Sequence, residues 1–140
     1  MVRTRILLAD DHQEIRAVVT KMLEREYEIV ESVTDGQALL EAASKLSPDL
    51  CVVDISMPVI DGIQAAAELK ASGSNTKIIM LTIHEDDDFV RASFDNGASG
   101  YVVKSRIASD LVVAVKEVLA GRTFVSSFSD GGGSFRRNTR

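Results

Sequence analysis

The stretch Leu50-Cys51-Val52-Val53, followed at once by Asp54, decides the fold class of this 140-residue chain. Four successive apolar residues are typical of a strand buried on both faces, as in a parallel sheet that is covered by helices. A carboxylate directly after such a strand marks the carboxyl end of the sheet, where open α/β folds bind their ligands. The stretch therefore predicts a buried strand and a candidate site at its end.

Four further short runs have the character of strands. They cover residues 6–9, 27–33, 78–81 and 101–103. The run at 27–33 contains Glu28 and Glu31 and is typical of an edge strand, whereas the other three are continuously apolar. Five strands are therefore expected, four of them in the interior of a sheet.

Apolar residues recur at helical spacing between these strands. Ile15, Val18, Val19, Met22 and Leu23 follow the pattern i, i+3, i+4, i+7, i+8 of an amphipathic helix. Similar patterns cover 38–46, 63–69, 86–96 and 111–119. A β-α order repeated five times predicts a flavodoxin-like (βα)5 fold, a doubly wound parallel sheet with strand order 2-1-3-4-5.

Composition narrows the class of protein. The chain is 45% hydrophobic and has one Cys, which excludes an internal disulfide framework and fits a reducing compartment. No apolar run approaches the roughly 20 residues that span a bilayer, so we expect a cytoplasmic protein without a membrane partner. The net charge of −5 argues against direct nucleic-acid binding by this chain.

The character of the sequence changes near its C-terminus. From Ser126 onward it is rich in Ser, Gly and Arg and includes three consecutive glycines at 131–133, a composition that does not build a core. We therefore predict one folded domain at 1–124 and a flexible linker or disordered tail at 125–140.

Five polar residues follow the carboxyl ends of the predicted strands: Asp10 and Asp11 after the first, Asp54 after the third, Thr82 after the fourth and Lys104 after the fifth. Each alone has an ordinary explanation, such as helix capping by Asp or strand preference for Thr. Their coincidence at one sheet edge predicts a crevice. Clustered carboxylates repel one another unless a cation such as Mg²⁺ or a lysine neutralises them.

The residues around these positions match a known family. The matching motifs are Leu8-Ala9-Asp10-Asp11-His12, Val52-Val53-Asp54-Ile55-Ser56-Met57-Pro58-Val59-Ile60-Asp61-Gly62, Leu81-Thr82 and Gly100-Tyr101-Val102-Val103-Lys104-Ser105. With them the chain resembles, over residues 4–121, the receiver domain of two-component response regulators. Segments 81–86, 96–101 and 118–121 are most similar to NarL/FixJ-type regulators, which carry a LuxR-type helix-turn-helix domain.

The resemblance implies a phosphorylation site. Asp54 would accept a phosphoryl group from a sensor histidine kinase, with Mg²⁺ or Mn²⁺ as cofactor. Asp10, Asp11, Asp54 and the backbone carbonyl of Ser56 would hold the ion. The protein would be a signalling phosphoacceptor rather than an enzyme with a separate substrate, although it would promote its own phosphorylation and dephosphorylation.

The resemblance also implies a switch. Lys104 and Thr82 would contact the phosphoryl group, and Thr82 with Tyr101 would change conformation in response. The output would be transcription, through a DNA-binding domain that this chain lacks, and the protein would form a homodimer on phosphorylation.

Two other classes of protein fit the sequence less well. A phosphohydrolase of the haloacid dehalogenase type needs an acid two residues after the nucleophile, where this chain has Ser56. A flavodoxin needs a hydroxyl- and glycine-rich phosphate loop after the first strand, where this chain has two acids. The histidines are not at zinc-ligand spacing, and we expect His84, near the mouth of the crevice, to affect how water reaches Asp54.

Overall fold

The computed structural model describes residues 3–128. The strands are β1 (Arg5–Ala9), β2 (Glu28–Val33), β3 (Leu50–Asp54), β4 (Lys77–Thr82), β5 (Gly100–Val103) and β6 (Phe124–Val125). The helices are α1 (Gln13–Leu23), α2 (Gly36–Leu46), α3 (Gly62–Ala71), α4 (Asp87–Asp95) and α5 (Ile107–Leu119), with a short 3-10 helix at Lys104–Arg106. No helix within the described residues has the length and apolar character to cross a membrane.

The strands form one parallel sheet in the order β2-β1-β3-β4-β5-β6. The expected order 2-1-3-4-5 is confirmed, and β2 with its two glutamates lies at one edge. The opposite edge differs from the prediction, because β6 adds a sixth strand beside β5. The predicted domain boundary after residue 124 therefore divides a strand.

Residues 125–128, predicted as the start of a flexible tail, pack against the sheet, and Ser126 is buried. A two-residue strand is too short to show a hydrophobic period, so the pattern of apolar residues does not predict it. Pairing satisfies the edge of β5, which would otherwise expose unpaired backbone groups. The rest of the predicted tail, 129–140, lies outside the described residues.

Two apolar layers cover the two faces of the sheet. On one face α1 and α5 pack through residues such as Val19, Leu23 and Leu111. On the other face α2, α3 and α4 pack through Leu39, Leu69 and other residues. The central strands are buried on both faces, as their continuous apolar runs predict.

The loop between β3 and α3 is held tightly against the end of β3. The side chain of Asp61 caps α3 by accepting a hydrogen bond from the amide of Gln64 at 2.8 Å. At Gly62 a Cβ atom would collide with the carbonyl oxygen of Asp54. Glycine therefore lets α3 begin directly beside the end of β3, which fixes the loop that follows Asp54.

Candidate functional site

The carboxyl ends of β1 and β3 bring two buried carboxylates together. Ala9 pairs with Val53, so that Asp10 and Asp54 leave neighbouring strands at the same level of the sheet. Both side chains are almost inaccessible to solvent. The side chain of Asp11, in contrast, is 34% exposed and lies at the mouth of the crevice.

Lys104 supplies the cation between the two buried acids. Its Nζ lies 3.0 Å from Oδ2 of Asp10 and 3.3 Å from Oδ2 of Asp54, and its side chain is only 9% exposed. It donates a hydrogen bond to Asp54. At Asp10 the ion-pair distance is met without the alignment of a hydrogen bond, and Oδ2 of Asp10 is the one buried side-chain oxygen or nitrogen in residues 3–128 that lacks such a bond.

His12 joins this cluster, although the sequence pattern predicts no role for it. Its Nδ1 lies 3.2 Å from a carboxylate oxygen of Asp10, 3.2 Å from one of Asp11 and 3.3 Å from Nζ of Lys104. Its amide donates to Oδ1 of Asp10 at 2.8 Å. The sequence signal that could have indicated this role is the position of His12 directly after two acids. The ring itself is largely exposed, so that it lies over the crevice.

Burial raises the pKa of Asp54 from its ordinary value of 3.8 to about 6. The neighbouring charge of Asp10 adds to this rise in the pKa. The ammonium group of Lys104 and a hydrogen bond from the amide of Ser56, 3.1 Å from Oδ1, act in the opposite direction. At neutral pH the group is therefore an ionised carboxylate held at an energetic cost, as a reactive oxygen nucleophile would be.

The geometry of the acidic cluster fits a hard divalent cation. Ligand atoms of Asp10, Asp11, His12 and Asp54 all lie within 4.8 Å of one another. The buried Oδ2 of Asp10, without an aligned hydrogen bond, is an acceptor that a cation would satisfy. Carboxylate oxygens are the ligands that Mg²⁺ and Mn²⁺ prefer.

Thr82 ends β4 beside this cluster and is fully buried. Leu81 pairs with Asp54, so Thr82 lies one residue further along the neighbouring strand. Its Oγ1 accepts a hydrogen bond from the amide of His84 at 3.1 Å. The hydroxyl proton is therefore available to a further acceptor.

His84 and Ser56 join two loops across the rim of the crevice. Nε2 of His84 lies 3.1 Å from Oγ of Ser56, and the imidazole stacks on the ring of Phe89 with centroids 4.0 Å apart. The sequence placed His84 near the mouth, but only the structure shows its partner. Because the amide of Ser56 donates to Oδ1 of Asp54, the contact lies next to that carboxylate.

Tyr101 is fully buried and is connected to the same rim. Its hydroxyl donates to the carbonyl oxygen of His84 at 2.8 Å. Since the amide of His84 binds Thr82, one residue links the two side chains that the sequence analysis paired as a switch. Of the residues singled out from the sequence, the structure thus gathers Asp10, Asp11, Asp54, Lys104, Thr82 and Ser56 around one crevice, with Tyr101 behind it.

Comparisons with known proteins show the family of the chain. A family model described as the response regulator receiver domain matches residues 6–116. The transcriptional regulatory protein DegU of Brevibacillus brevis is 35% identical over 125 residues, which are 88% of this chain and 53% of that protein. The chain spans a little over half the length of the curated relatives it matches.

Solved structures give the same result. A LuxR-family two-component response regulator from Aurantimonas sp. SI85-9A1 is 32% identical with a TM-score of 0.83, covering 87% of this chain and 89% of that one. The isolated receiver domain of RcsB from Salmonella enterica serovar Typhimurium, determined with the phosphomimetic BeF3⁻, is 27% identical with a TM-score of 0.82, covering 89% and 94%. The chain therefore belongs to the response regulator receiver domain family of two-component systems.

Proposed function

We propose that Asp54 accepts a phosphoryl group from a phosphohistidine on a sensor histidine kinase, and that this modification switches the conformation of the protein. One observation carries the proposal: a buried carboxylate with a raised pKa lies 3.3 Å from a nearly buried lysine and beside two further acids at the end of a central strand. The related RcsB receiver was determined with a phosphomimetic, which supports the same chemistry here.

The transfer requires an oxygen nucleophile and stabilisation of anionic charge. A carboxylate oxygen of Asp54 forms a bond to phosphorus as the phosphorus–nitrogen bond of the phosphohistidine breaks. The imidazole leaves with the bonding electron pair and takes up a proton when it is released. Lys104 pairs with one phosphoryl oxygen, and the hydroxyl of Thr82 donates to another, so both stabilise charge that develops in the transition state.

The acidic cluster suits the ion that this reaction needs. Carboxylates of Asp10, Asp11 and Asp54 and the backbone carbonyl of Ser56 would hold Mg²⁺ or Mn²⁺. A bound ion supplies the positive charge that lets an anionic phosphoryl group approach a carboxylate. The same groups would serve the attack of water on the aspartyl phosphate, so that the protein promotes its own dephosphorylation.

The switch uses the contacts behind the crevice. A phosphoryl group brings about −1.5 to −2 charges next to Thr82 and Lys104. Any change in the position of Thr82 passes to the amide of His84, and the carbonyl of His84 passes it to the hydroxyl of Tyr101. Because a modification shifts a conformational equilibrium only through differential contacts, these hydrogen bonds must differ between the two states.

The proposed output of the switch is transcription. The chain spans about half the length of its curated relatives, among which are transcriptional regulators. We therefore propose that it acts in the cytoplasm and controls transcription through a separate DNA-binding domain of the LuxR type. Homodimerisation on phosphorylation belongs to the same proposal. Size-exclusion chromatography with beryllofluoride would show a larger species, and a monomer under both conditions would contradict dimerisation.

Intact mass spectrometry tests the central step. The parent chain and the isosteric variant Asp54→Asn are incubated with a small-molecule phosphodonor and Mg²⁺, with a chelator as control. We expect one phosphoryl adduct on the parent and none on the variant or in the chelated sample. An adduct of equal yield on Asp54→Asn would assign the phosphoryl group to another residue and overturn the proposal.

A further inference from the structure

Residues 124–128, called here the C-terminal strap, cover the outer edge of β5. Gly100 and Tyr101 pair with Phe124 and Val125 of β6. The amide of Ser126 continues this pairing and donates to the carbonyl oxygen of Tyr101 at 2.9 Å. The strap lies beyond residues 6–116, the region matched by the family model.

Ser126 attaches the strap to the segment that carries Lys104. Its Oγ accepts a hydrogen bond from the amide of Val103 at 3.2 Å and donates one to Oδ2 of Asp110 at 2.7 Å. Asp110 also accepts from Nε of Arg106 at 2.9 Å. One buried serine thus joins the residue before Lys104 to α5 and, through Asp110, to the 3-10 helix that begins with Lys104.

Phe128 attaches the strap to the other side of the crevice. Its ring meets the ring of Tyr101 edge-on, with centroids 6.3 Å apart and planes at 60°. The hydroxyl of Tyr101 binds the carbonyl of His84, and the amide of His84 binds Oγ1 of Thr82. A continuous series of contacts therefore runs from Phe128 to Thr82.

We propose that Ser126 and Phe128 are positioning residues for the phosphoryl-binding groups, since the strap fixes Tyr101 and the start of the 3-10 helix and thereby orders Thr82 and Lys104 before a ligand arrives. The proposal rests on the functions proposed above for Thr82 and Lys104. Groups that are already ordered lose less conformational entropy on binding, so the strap raises affinity for a phosphoryl group. Because coupling is reciprocal, a phosphoryl group also tightens the strap.

The first measurement is the affinity of the full 140-residue chain for beryllofluoride in the presence of Mg²⁺, with the amide NMR signals as the readout of binding. Phe128→Ala and Ser126→Ala each remove one attachment, and we expect either to weaken binding at least about fivefold, the lower end of ordinary coupling between sites. Phe128→Tyr keeps the ring contact and should restore binding. Ser127→Ala is the matched control, because Ser127 is the neighbouring serine of the strap and is exposed.

The second measurement separates positioning from general loss of stability. Without phosphomimetic, we expect the amide of His84 to exchange its hydrogen faster in Phe128→Ala than in the parent, while the amides of Leu7 and Val52 in the central strands are unchanged. Uniformly faster exchange, central strands included, would assign a merely structural role to the strap and overturn the proposal. In the parent, beryllofluoride should slow exchange at the amide of Ser126.

The two measurements also distinguish this proposal from the proposed function. If the parent fails to bind beryllofluoride, the proposed phosphoacceptor function is overturned. Hydrogen exchange at the amide of His84 then still decides whether the strap orders Thr82. If the parent binds but Phe128→Ala and Ser126→Ala bind equally well, with unchanged exchange at His84, the phosphoacceptor function stands and the positioning role is overturned.

Discussion

Asp10 and Asp54 face each other across one ammonium group, with Nζ of Lys104 lying 3.0 Å from a carboxylate oxygen of the first and 3.3 Å from one of the second. Two buried anions thus share one cation, which leaves the cluster with an unbalanced negative charge. Unbalanced buried charge is costly, and here it creates the attraction for a divalent cation.

Removing the charge of Asp54 should stabilise the folded protein at neutral pH. Its pKa rises from 3.8 to about 6 on folding, so the folded state binds this proton more tightly than the unfolded state. Stability is therefore lost as pH rises between these values and stays lower above them. Without added metal, we expect Asp54→Asn to raise the free energy of unfolding at pH 7.5 by about 2 to 3 kcal/mol, with little change at pH 4.

Urea unfolding at both pH values measures this effect. The matched control is Glu31→Gln, which neutralises an exposed acid on the edge strand β2 and should change stability little at either pH. A destabilised Asp54→Asn at pH 7.5 would show that pairing with Lys104 outweighs the cost of burying the carboxylate.

Removing the shared cation should have the opposite effect. Lys104→Met keeps the aliphatic part of the side chain but leaves Asp10 and Asp54 unpaired, and we expect a loss of about 3 kcal/mol at pH 7. The loss should shrink at pH 5, where Asp54 can take up a proton, and added Mg²⁺ should restore part of it. Lys21→Met, on the exposed side of α1, is the control for loss of a lysine in urea unfolding. A loss that is equal at the two pH values would contradict this account.

Magnesium should stabilise the protein through the acidic cluster. We expect the melting temperature of the parent to rise with Mg²⁺ concentration, because an ion that binds only the folded state stabilises it by mass action. Asp11→Asn removes the accessible carboxylate and should weaken the binding of Mg²⁺ at least about tenfold. Glu14→Gln, which neutralises an acid in the first turn of α1 outside the cluster, should leave the titration unchanged. Identical titrations for the parent and Asp11→Asn would remove Asp11 from the metal site.

The contact between His84 and Ser56 should protect the aspartyl phosphate. His84→Ala opens one side of the crevice, and we expect the phosphoryl group to be lost about fivefold faster. This factor corresponds to the loss of one hydrogen bond of about 1 kcal/mol. Ser56→Ala removes the same bond while keeping its backbone carbonyl. If the bond is responsible, the double variant loses the phosphoryl group no faster than either single variant. Equal rates of phosphoryl loss from the parent and from His84→Ala would contradict this protective role.

Much of the fold could be predicted because its signals are local. The continuous apolar run at 50–53 indicates a strand buried on both faces, and the glutamates at 28 and 31 indicate an edge. Such patterns depend on which face of an element is buried, and that information repeats every two or 3.6 residues along the chain. The parallel order then brings the ends of β1, β3, β4 and β5 to one edge whatever the details of packing.

The sequence by itself thus determined the sheet, the family and the convergence of Asp10, Asp54, Thr82 and Lys104. Only the tertiary structure decided that Lys104 lies between two acids, that His84 reaches Ser56 and that residues 124–128 close the edge of β5. These contacts join residues 24 to 94 positions apart in the sequence. No period in the sequence encodes such distances, because they are set by how whole elements dock against one another.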